Sequence, residues 1–478
     1  MSWRARAAIF VAMIAIATPL LLVGTGGQAI HEGDEAIYAE MAREMADSGR
    51  VGELTWQGQP QFPRPPMTVW ILAGARKIFS WPDERAVRWP LALFAALEVA
   101  LVFLLGAALW RPQLGVVAAG ALLASDLFVG YARYLESEPF LCVFVVGAFV
   151  CWEAARTRPR LIYGWGALLG CALMTKQLVG ALPLLAPIVD RLARDEGRIP
   201  ARLVWRGAIA AAVVALPWHV YATAKFGRAF LDSYLLRNVL ERSTAVLLHQ
   251  TRATFYLREL WRSEGALVIL AAAAIGCALI GAIRKRARAD LLIASWALGV
   301  LAIFSAARSR YDHYLLLAYP AMALAIGAAC GKLPLRPSVR AVVAAAYLGT
   351  AALAHWPRNL AGFSGEAELR DLARVASQRY HAPARLYTYN LHGYAARYYA
   401  TLDVTTLLES AEDFRLAQEL QRAGMPCPVE PAPELAAALA QRPRPFALLM
   451  PRARAELVRG VALTPLAATP HYLLYGAD

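Results

Sequence analysis

The chain has 478 residues, 58% of them hydrophobic, and a mean hydropathy of +0.42. Soluble domains are nearer half apolar, so the composition excludes an ordinary soluble enzyme and points to an integral membrane protein. The formal charge of +14 would suit a nucleic-acid binder, but the basic residues gather in short loops between apolar stretches, where they set topology instead.

The N-terminal stretch, with Arg4 and Arg6 ahead of an apolar run at 7–24, has the outline of a signal peptide. The multi-span pattern behind it favours a retained first helix. Segments 87–110, 113–131, 138–155, 161–175, 177–190, 203–222, 263–283, 290–306, 313–330 and 338–356 each have the length and polarity of a span. With the N-terminus placed inside, the inner loops hold Arg111, then Arg156, Arg158 and Arg160, and then the cluster from Arg191 to Arg206. Further inner basic groups are "RKRAR" at 284–288 and Lys332, Arg336 and Arg340. The short outer connections carry few, namely Arg133, Lys176, Arg308 and Arg310, the bias expected of the positive-inside rule. It also makes the stretch 161–190 a hairpin turning at Thr175-Lys176, because both of its flanks are basic.

Three parts are left on the outer face: a loop at 25–86, a loop at 223–262 and the tail 357–478. "FLDSYLLRNVL" (230–240) has the alternation of an interfacial amphipathic helix. In the tail, "ARLYTYN", "VTTLL", "FALLM" and "YLLYG" read as strands, and "AEDFRLAQELQRAG" as a helix ending at Gly424. The expected fold is thus an all-α polytopic membrane protein of about 11–13 transmembrane helices, residues 1–356, with a small C-terminal α/β domain outside the membrane. The six cysteines show neither CxxC spacing nor a disulfide framework and read as small apolar packing residues.

Sorted by depth, several charged residues from distant segments meet at the outer face, where ionisable groups near lipid are costly. Each has a plain structural reading. Asp34 fits a helix N-cap, Glu138 before Pro139 a helix start, and Lys176 a side chain reaching to the interface. Arg308 and Arg310 fit headgroup contacts. Glu98 stands deep in a span, consistent with a hydrogen bond between helices. His31, His219, His249 and His313 share no metal spacing, which argues against a histidine-based metal site.

Taken in order, these segments resemble the polyprenyl-phosphate-dependent membrane glycosyltransferases of the GT-C fold, the group of protein O-mannosyltransferases and lipid A aminoarabinose transferases. The resemblance runs from "DEAIYAEMAREMADSG" through "GQPQFPRPPMTVWILAGARKIFS", "ERAVRWPLALFAAL", "SEPFL", "MTKQ" and "LLRNVLERST" to "RYDHYLLLAYPAMALA", covering residues 1 to 330. It implies an inverting transfer of a sugar from a polyprenyl phosphate to lipid A, another envelope glycan or lipid, or a protein, at the periplasmic face of a bacterial inner membrane. Asp34 and Glu138 are the implied catalytic residues and the candidates for holding a divalent cation. Lys176, Arg242 and Arg64 are the candidates for binding the donor phosphate. Glu35, Tyr38, Asn238, Arg308, Arg310 and Tyr311 complete the candidate site. Pro63-Arg64-Pro65 stands where the aminoarabinose transferases have Glu-Lys-Pro, so one carboxylate of that subgroup is missing. The competing class is a transporter or flippase of an envelope lipid, for which Glu98 is the one charged group at the right depth.

Overall fold

The computed structural model describes residues 2–62, 64–81, 83–194, 197–234, 254–307, 310–361, 365–422 and 428–478. Among them, nine helical segments are long and apolar enough to cross a membrane. The chain is therefore a multi-pass membrane protein, all-α within the bilayer, and it ends in a small α/β domain.

Helix α1 (Trp3–Leu22) is followed by a loop region built of α2 (Asp34–Ser48), a two-stranded ribbon of β1 (Thr55–Trp56) and β2 (Gln59–Pro60), and α3 (Met67–Phe79). Helix α4 (Arg85–Leu109) buries Leu91, Ala95, Val99 and Phe103 at four-residue spacing, the face of a helix inside a bundle. Then come α5 (Pro112–Leu123), α6 (Asp126–Tyr131), α7 (Glu138–Ala155) and α8 (Ile162–Lys176). At Gln177, φ +41°, the chain reverses into a 3-10 segment (Gln177–Leu184) that leads to α9 (Leu185–Leu192). The Trp165 indole N–H donates to the Pro183 carbonyl at 3.3 Å, so the two limbs run antiparallel and the turn falls at Lys176.

Helix α10 (Ala201–Leu231) is kinked at Gly227, whose φ of +56° suits only glycine. The described chain breaks off at Tyr234, so most of the expected interfacial helix lies outside the described residues. Helices α11 (Phe255–Glu264), α12 (Ala266–Lys285), α13 (Arg288–Ala306), α14 (Tyr319–Lys332) and α15 (Pro337–Ala361) complete the bundle, with a 3-10 turn (Asp312–Ala318) before α14.

The expected span at 113–131 is not one helix. It divides into α5 and α6, with Ser125 extended between them. The cause lies elsewhere in the sequence. The Glu264 carboxylate accepts the Asp126 and Leu127 N–H groups at 3.1 and 3.0 Å, capping α6, and also takes the Tyr319 hydroxyl at 2.7 Å. The 12 residues of α5 reach only about 18 Å, short of the ~30 Å hydrocarbon core.

The tail begins after α15 with α16 (Gly365–Arg379). It continues through β3 (Arg385–Tyr389), α17 (Tyr394–Tyr399), β4 (Asp403–Leu408), α18 (Ala411–Arg422), β5 (Val429–Pro431), α19 (Leu435–Ala440), β6 (Phe446–Pro451), β7 (Thr464–Ala468) and β8 (Tyr472–Ala477). The strand order is β5-β4-β3-β6-β8-β7, parallel from β5 to β6 and antiparallel beyond. All four strands read from the sequence are present; β5 and β7 are additional edge strands, and Gly424 lies outside the described residues. Through α17 the domain clamps onto α2: Arg397 meets Glu40 at 2.8 Å and Glu44 at 3.3 Å. Nearby, the Ile30 N–H donates to the Tyr399 hydroxyl, which donates to Glu84.

Helices α8 and α10 touch backbone to backbone. A Cβ on Gly166 would lie 1.9 Å from the Gly207 carbonyl oxygen, and one on Gly170 2.8 Å from that of Ala211. Gly166→Leu is expected to separate these helices and lower stability by about 1–3 kcal/mol. Thermal unfolding in detergent checks this, and an unchanged melting temperature would show that the contact is dispensable. At the seam with the tail, Glu32 accepts the Tyr394 N–H at 2.9 Å. Burial pushes its carboxyl up to about 7 from the 4.5 of a free side chain, against the pull of the Ala395 and Tyr394 backbone. The folded protein then holds a proton that the unfolded chain has released, so stability falls as pH rises through that window. Glu32→Gln should melt with the parent at pH 4.5 and above it at pH 8; an offset equal at both would contradict this origin.

Candidate active site

The frame of the site is a buried ion pair. Glu35, in the first turn of α2, is fully enclosed and pairs closely with Arg88 of α4. Its carboxylate also accepts the His31 and Leu135 N–H groups at 2.8 and 3.1 Å. Arg88 donates onward to the Arg133 and Ala29 carbonyls at 2.6 and 3.2 Å. Arg133 in turn reaches the Leu21 and Val23 carbonyls, at the end of α1. Glu35, expected among the site residues, is instead spent on fastening α1, α2, α4 and the 132–137 connection together.

One residue earlier, Asp34 points the other way. Arg64, from the segment before α3, donates to Asp34 at 2.9 Å, to the Tyr38 hydroxyl at 2.6 Å and to the Ser137 hydroxyl at 3.1 Å, and lies 3.8 Å from Glu136. Ser137 donates to Glu138 at 3.0 Å, and Glu138 forms a close ion pair with Lys176 at the hairpin turn. His313 lies 3.6 Å from Glu138 and 3.8 Å from Glu136. Lys176 also sits 4.3 Å above the Tyr314 ring, and Tyr311 stacks on His313 at 5.2 Å. Of the expected residues, Asp34, Tyr38, Arg64, Glu138, Lys176 and Tyr311 thus converge on one end of the bundle. The Asp34 side chain is 27% exposed while that of Glu138 is 0%, so Asp34 is the carboxylate an incoming molecule can reach.

Glu136 and His313 were not read from the sequence as site residues, and both sit at the centre. The signal for Glu136 was the acid–Ser–acid triplet 136–138 on a non-helical connection; His313 had none, because its partners come from 175 residues away. One ligand atom each from Glu136, Glu138 and His313 lie within 4.8 Å of one another. A Glu136 oxygen and the His313 Nε2 are buried with no hydrogen-bond partner among the described residues. Two carboxylates and an imidazole are donors that suit a divalent cation, and these orphaned atoms fit one. Asp34, expected to share a metal, is engaged by Arg64 instead. Burial, then the charges of Asp34 and Glu138, push the Glu136 carboxyl well above the usual range. Burial works against the Arg64 cation, but the surrounding oxygens hold it firmly charged.

Asn238, Arg242 and Arg308 lie outside the described residues. Arg310 is buried and donates to the Ser305 carbonyl at 2.8 Å. Glu98 is enclosed in α4, and one of its oxygens has no hydrogen-bond partner among the described residues, unlike the interhelical bond expected. From the Lys176 turn an apolar groove of about 370 Å³ runs between the 3-10 limb, α9 and α13, lined by Leu178, Leu182, Leu185, Val300 and Phe304. The Phe304 ring is 4.7 Å from that of Tyr314, which joins the head of the groove to the charged cluster.

Residues 63–221 match the family model described as dolichyl-phosphate-mannose-protein mannosyltransferase. The chain is 29% identical over 310 residues to undecaprenyl phosphate-alpha-4-amino-4-deoxy-L-arabinose arabinosyl transferase 1 of Pseudomonas fluorescens, covering 62% of this chain and 52% of that protein. It is 27% identical over 306 residues to the corresponding transferase of Pseudomonas aeruginosa strain LESB58, covering 62% and 54%. The chain thus spans about half the length of these curated relatives. Among solved structures, ArnT from Cupriavidus metallidurans bound to undecaprenyl phosphate superposes with a TM-score of 0.74 at 18% identity, over 99% of this chain and 98% of that one. The archaeal oligosaccharyltransferase AglB from Archaeoglobus fulgidus gives 0.54 at 12% identity, over 96% and 72%. Residues 63–221 thus carry a segment similar to this mannosyltransferase family, and the chain as a whole has the fold of ArnT and AglB.

Proposed function

We propose that the protein is an inverting glycosyltransferase that moves a sugar from a polyprenyl phosphate to an envelope acceptor, a lipid A, another glycan or lipid, or a protein. The observation that carries this reading is the meeting of one reachable carboxylate, two cations and a long apolar groove at a single end of the bundle. A polyprenyl phosphate has that shape, a charged head on a hydrocarbon chain. The chain lies in the groove beside Leu178 and Phe304 while the phosphate meets Lys176, and Arg64 adds a second charge. The sugar's anomeric carbon is then presented beside Asp34. There the acceptor hydroxyl loses its proton to the carboxylate as it attacks, and the lipid phosphate departs as an anion held by the cations. One in-line displacement inverts the anomeric centre. A divalent cation held by Glu136, Glu138 and His313 would help neutralise that phosphate. With the basic loops inside, the cluster and tail face the periplasm of a bacterial inner membrane.

Glu98 is the observation that favours the competing transport reading, since a lone carboxyl inside the bundle is typical of carriers. Turnover decides between them. Purified protein given polyprenyl-phosphate sugars and an envelope-lipid extract should release lipid phosphate and form a new glycosylated product. Asp34→Asn should lower that rate by about 10²–10⁴-fold while leaving the fold intact, and Lys176→Ala should weaken donor use about ten- to hundred-fold, more than acceptor use. Full activity in Asp34→Asn would remove the central claim, and lipid movement in vesicles without turnover would favour transport. Chelation should reduce the rate, and added Mn²⁺ or Mg²⁺ should restore it; an unaffected rate would assign phosphate neutralisation to Lys176 and Arg64 alone.

A further inference from the structure

At the other end of the bundle is a second, larger groove that belongs to no part of the candidate active site. Helix α4 begins beside the Glu35 pair and runs for 25 residues, about 37 Å, so Arg111, just past its end, stands at the opposite membrane surface. From there a groove of about 670 Å³ extends into the bundle between α5, the end of α14 and α15. Its walls are apolar, with Leu114 and Val117 on α5 facing Ala344 and Leu348 on α15. Its mouth holds Arg111 and Arg340, and no acidic residue lines it. Arg340 donates to the Gly331 carbonyl at 2.6 Å. Among the described residues neither arginine makes an ion pair. Helix α15 has none of its membrane-length window buried, so the groove lies open to the lipid along its side.

We propose that this groove is a binding site for an anionic glycerophospholipid of the leaflet opposite the Asp34–Lys176 cluster. The phosphate sits between Arg111 and Arg340, and the acyl chains fill the space between α5 and α15. The two guanidinium groups at the rim of the apolar cleft have no acidic partner among the described residues, and a lipid phosphate supplies both charge and acceptors. A zwitterionic lipid fills the same volume but brings its own ammonium to the rim, which the arginines repel. Arg336, on the turn between α14 and α15, adds to the positive field at this surface. Bound lipid would also fill the space between α15 and the first turns of α5, whose last turns already meet α15 through Gly120 and Leu348. This inference stands independently of the transfer reading.

The test is to equilibrate the detergent-purified full chain with equal amounts of phosphatidylglycerol and phosphatidylethanolamine and to quantify the lipid retained by native mass spectrometry. The parent should retain phosphatidylglycerol in preference. The Arg111→Ala/Arg340→Ala double variant should lose that preference about ten-fold. The Arg284→Ala/Lys285→Ala double variant, which removes equal charge from the end of α12, should not. Ala344→Trp, which fills the groove but keeps both arginines, should also lower retention, and thermal unfolding in detergent provides an independent check that each variant is folded. Equal losses in the two double variants would reduce the effect to bulk surface charge and overturn the site. Undiminished retention in Ala344→Trp, or no preference between the two lipids in the parent, would overturn it as well.

Discussion

The arrangement depends on one buried charge pair, Glu35 with Arg88. Removing two such charges from water costs several kcal/mol each, and the pair is tolerated because four backbone groups around it are recruited to it. Glu35 takes two backbone N–H groups, and Arg88 serves two carbonyls. Because those groups belong to the 25–33 loop and the 132–137 connection, the pair fixes both segments against α2 and α4. Asp34 sits beside Glu35 in sequence, and Glu136 to Glu138 follow Leu135 directly. The carboxylates of the candidate active site are therefore positioned by a bond in which none of them takes part. Breaking a pair of this kind by removing one partner costs about 3–5 kcal/mol, chiefly because the other charge is left alone.

Within the cluster the charges are arranged by access. Glu136 and Glu138 are sealed in with Lys176 and His313, whereas Asp34 remains partly open. A phosphate arriving at Lys176 would meet a cation already held by Glu138, so binding exchanges one charge partner for another without exposing a bare ammonium to the groove. Arg64 bridges the open and the closed halves, touching Asp34 on one side and Ser137 on the other.

Much of this was legible in the sequence because the bilayer imposes simple rules. Apolar length marked the crossings, and basic flanks marked the fold-back at Lys176, even though 161–190 could pass for one long helix. The division of 113–131 was not legible, since its cause, Glu264, lies 138 residues away from Asp126. In the tail, β3, β4, β6 and β8 are short runs of apolar, aromatic and β-branched residues. The missed strands β5 and β7 are the two edges of the sheet, and each includes a proline, Pro431 and Pro465, which edges admit and centres do not. At the site, Asp34, Arg64, Glu138 and Lys176 emerged from a family pattern. His313 was set aside because metal spacing along a chain is informative only when the ligands are neighbours in sequence; here they meet through the packing of α7 against the turn before α14.

The clamp between α17 and α2 has a bearing on how the molecule is made. Glu40 is enclosed in α2, and its partner Arg397 follows 357 residues later; the Ile30 amide waits still longer for Tyr399, 369 residues on. Contacts of such separation carry the largest loop-closure cost and form last. During synthesis the helix that bears Asp34 is therefore made with Glu40 held by its neighbour Arg43 but still lacking Arg397. It gains its final support only when the last part of the chain has emerged and folded onto it. The membrane bundle and the tail are consequently halves of one assembly step, and the reactive end of the protein is the last region to set.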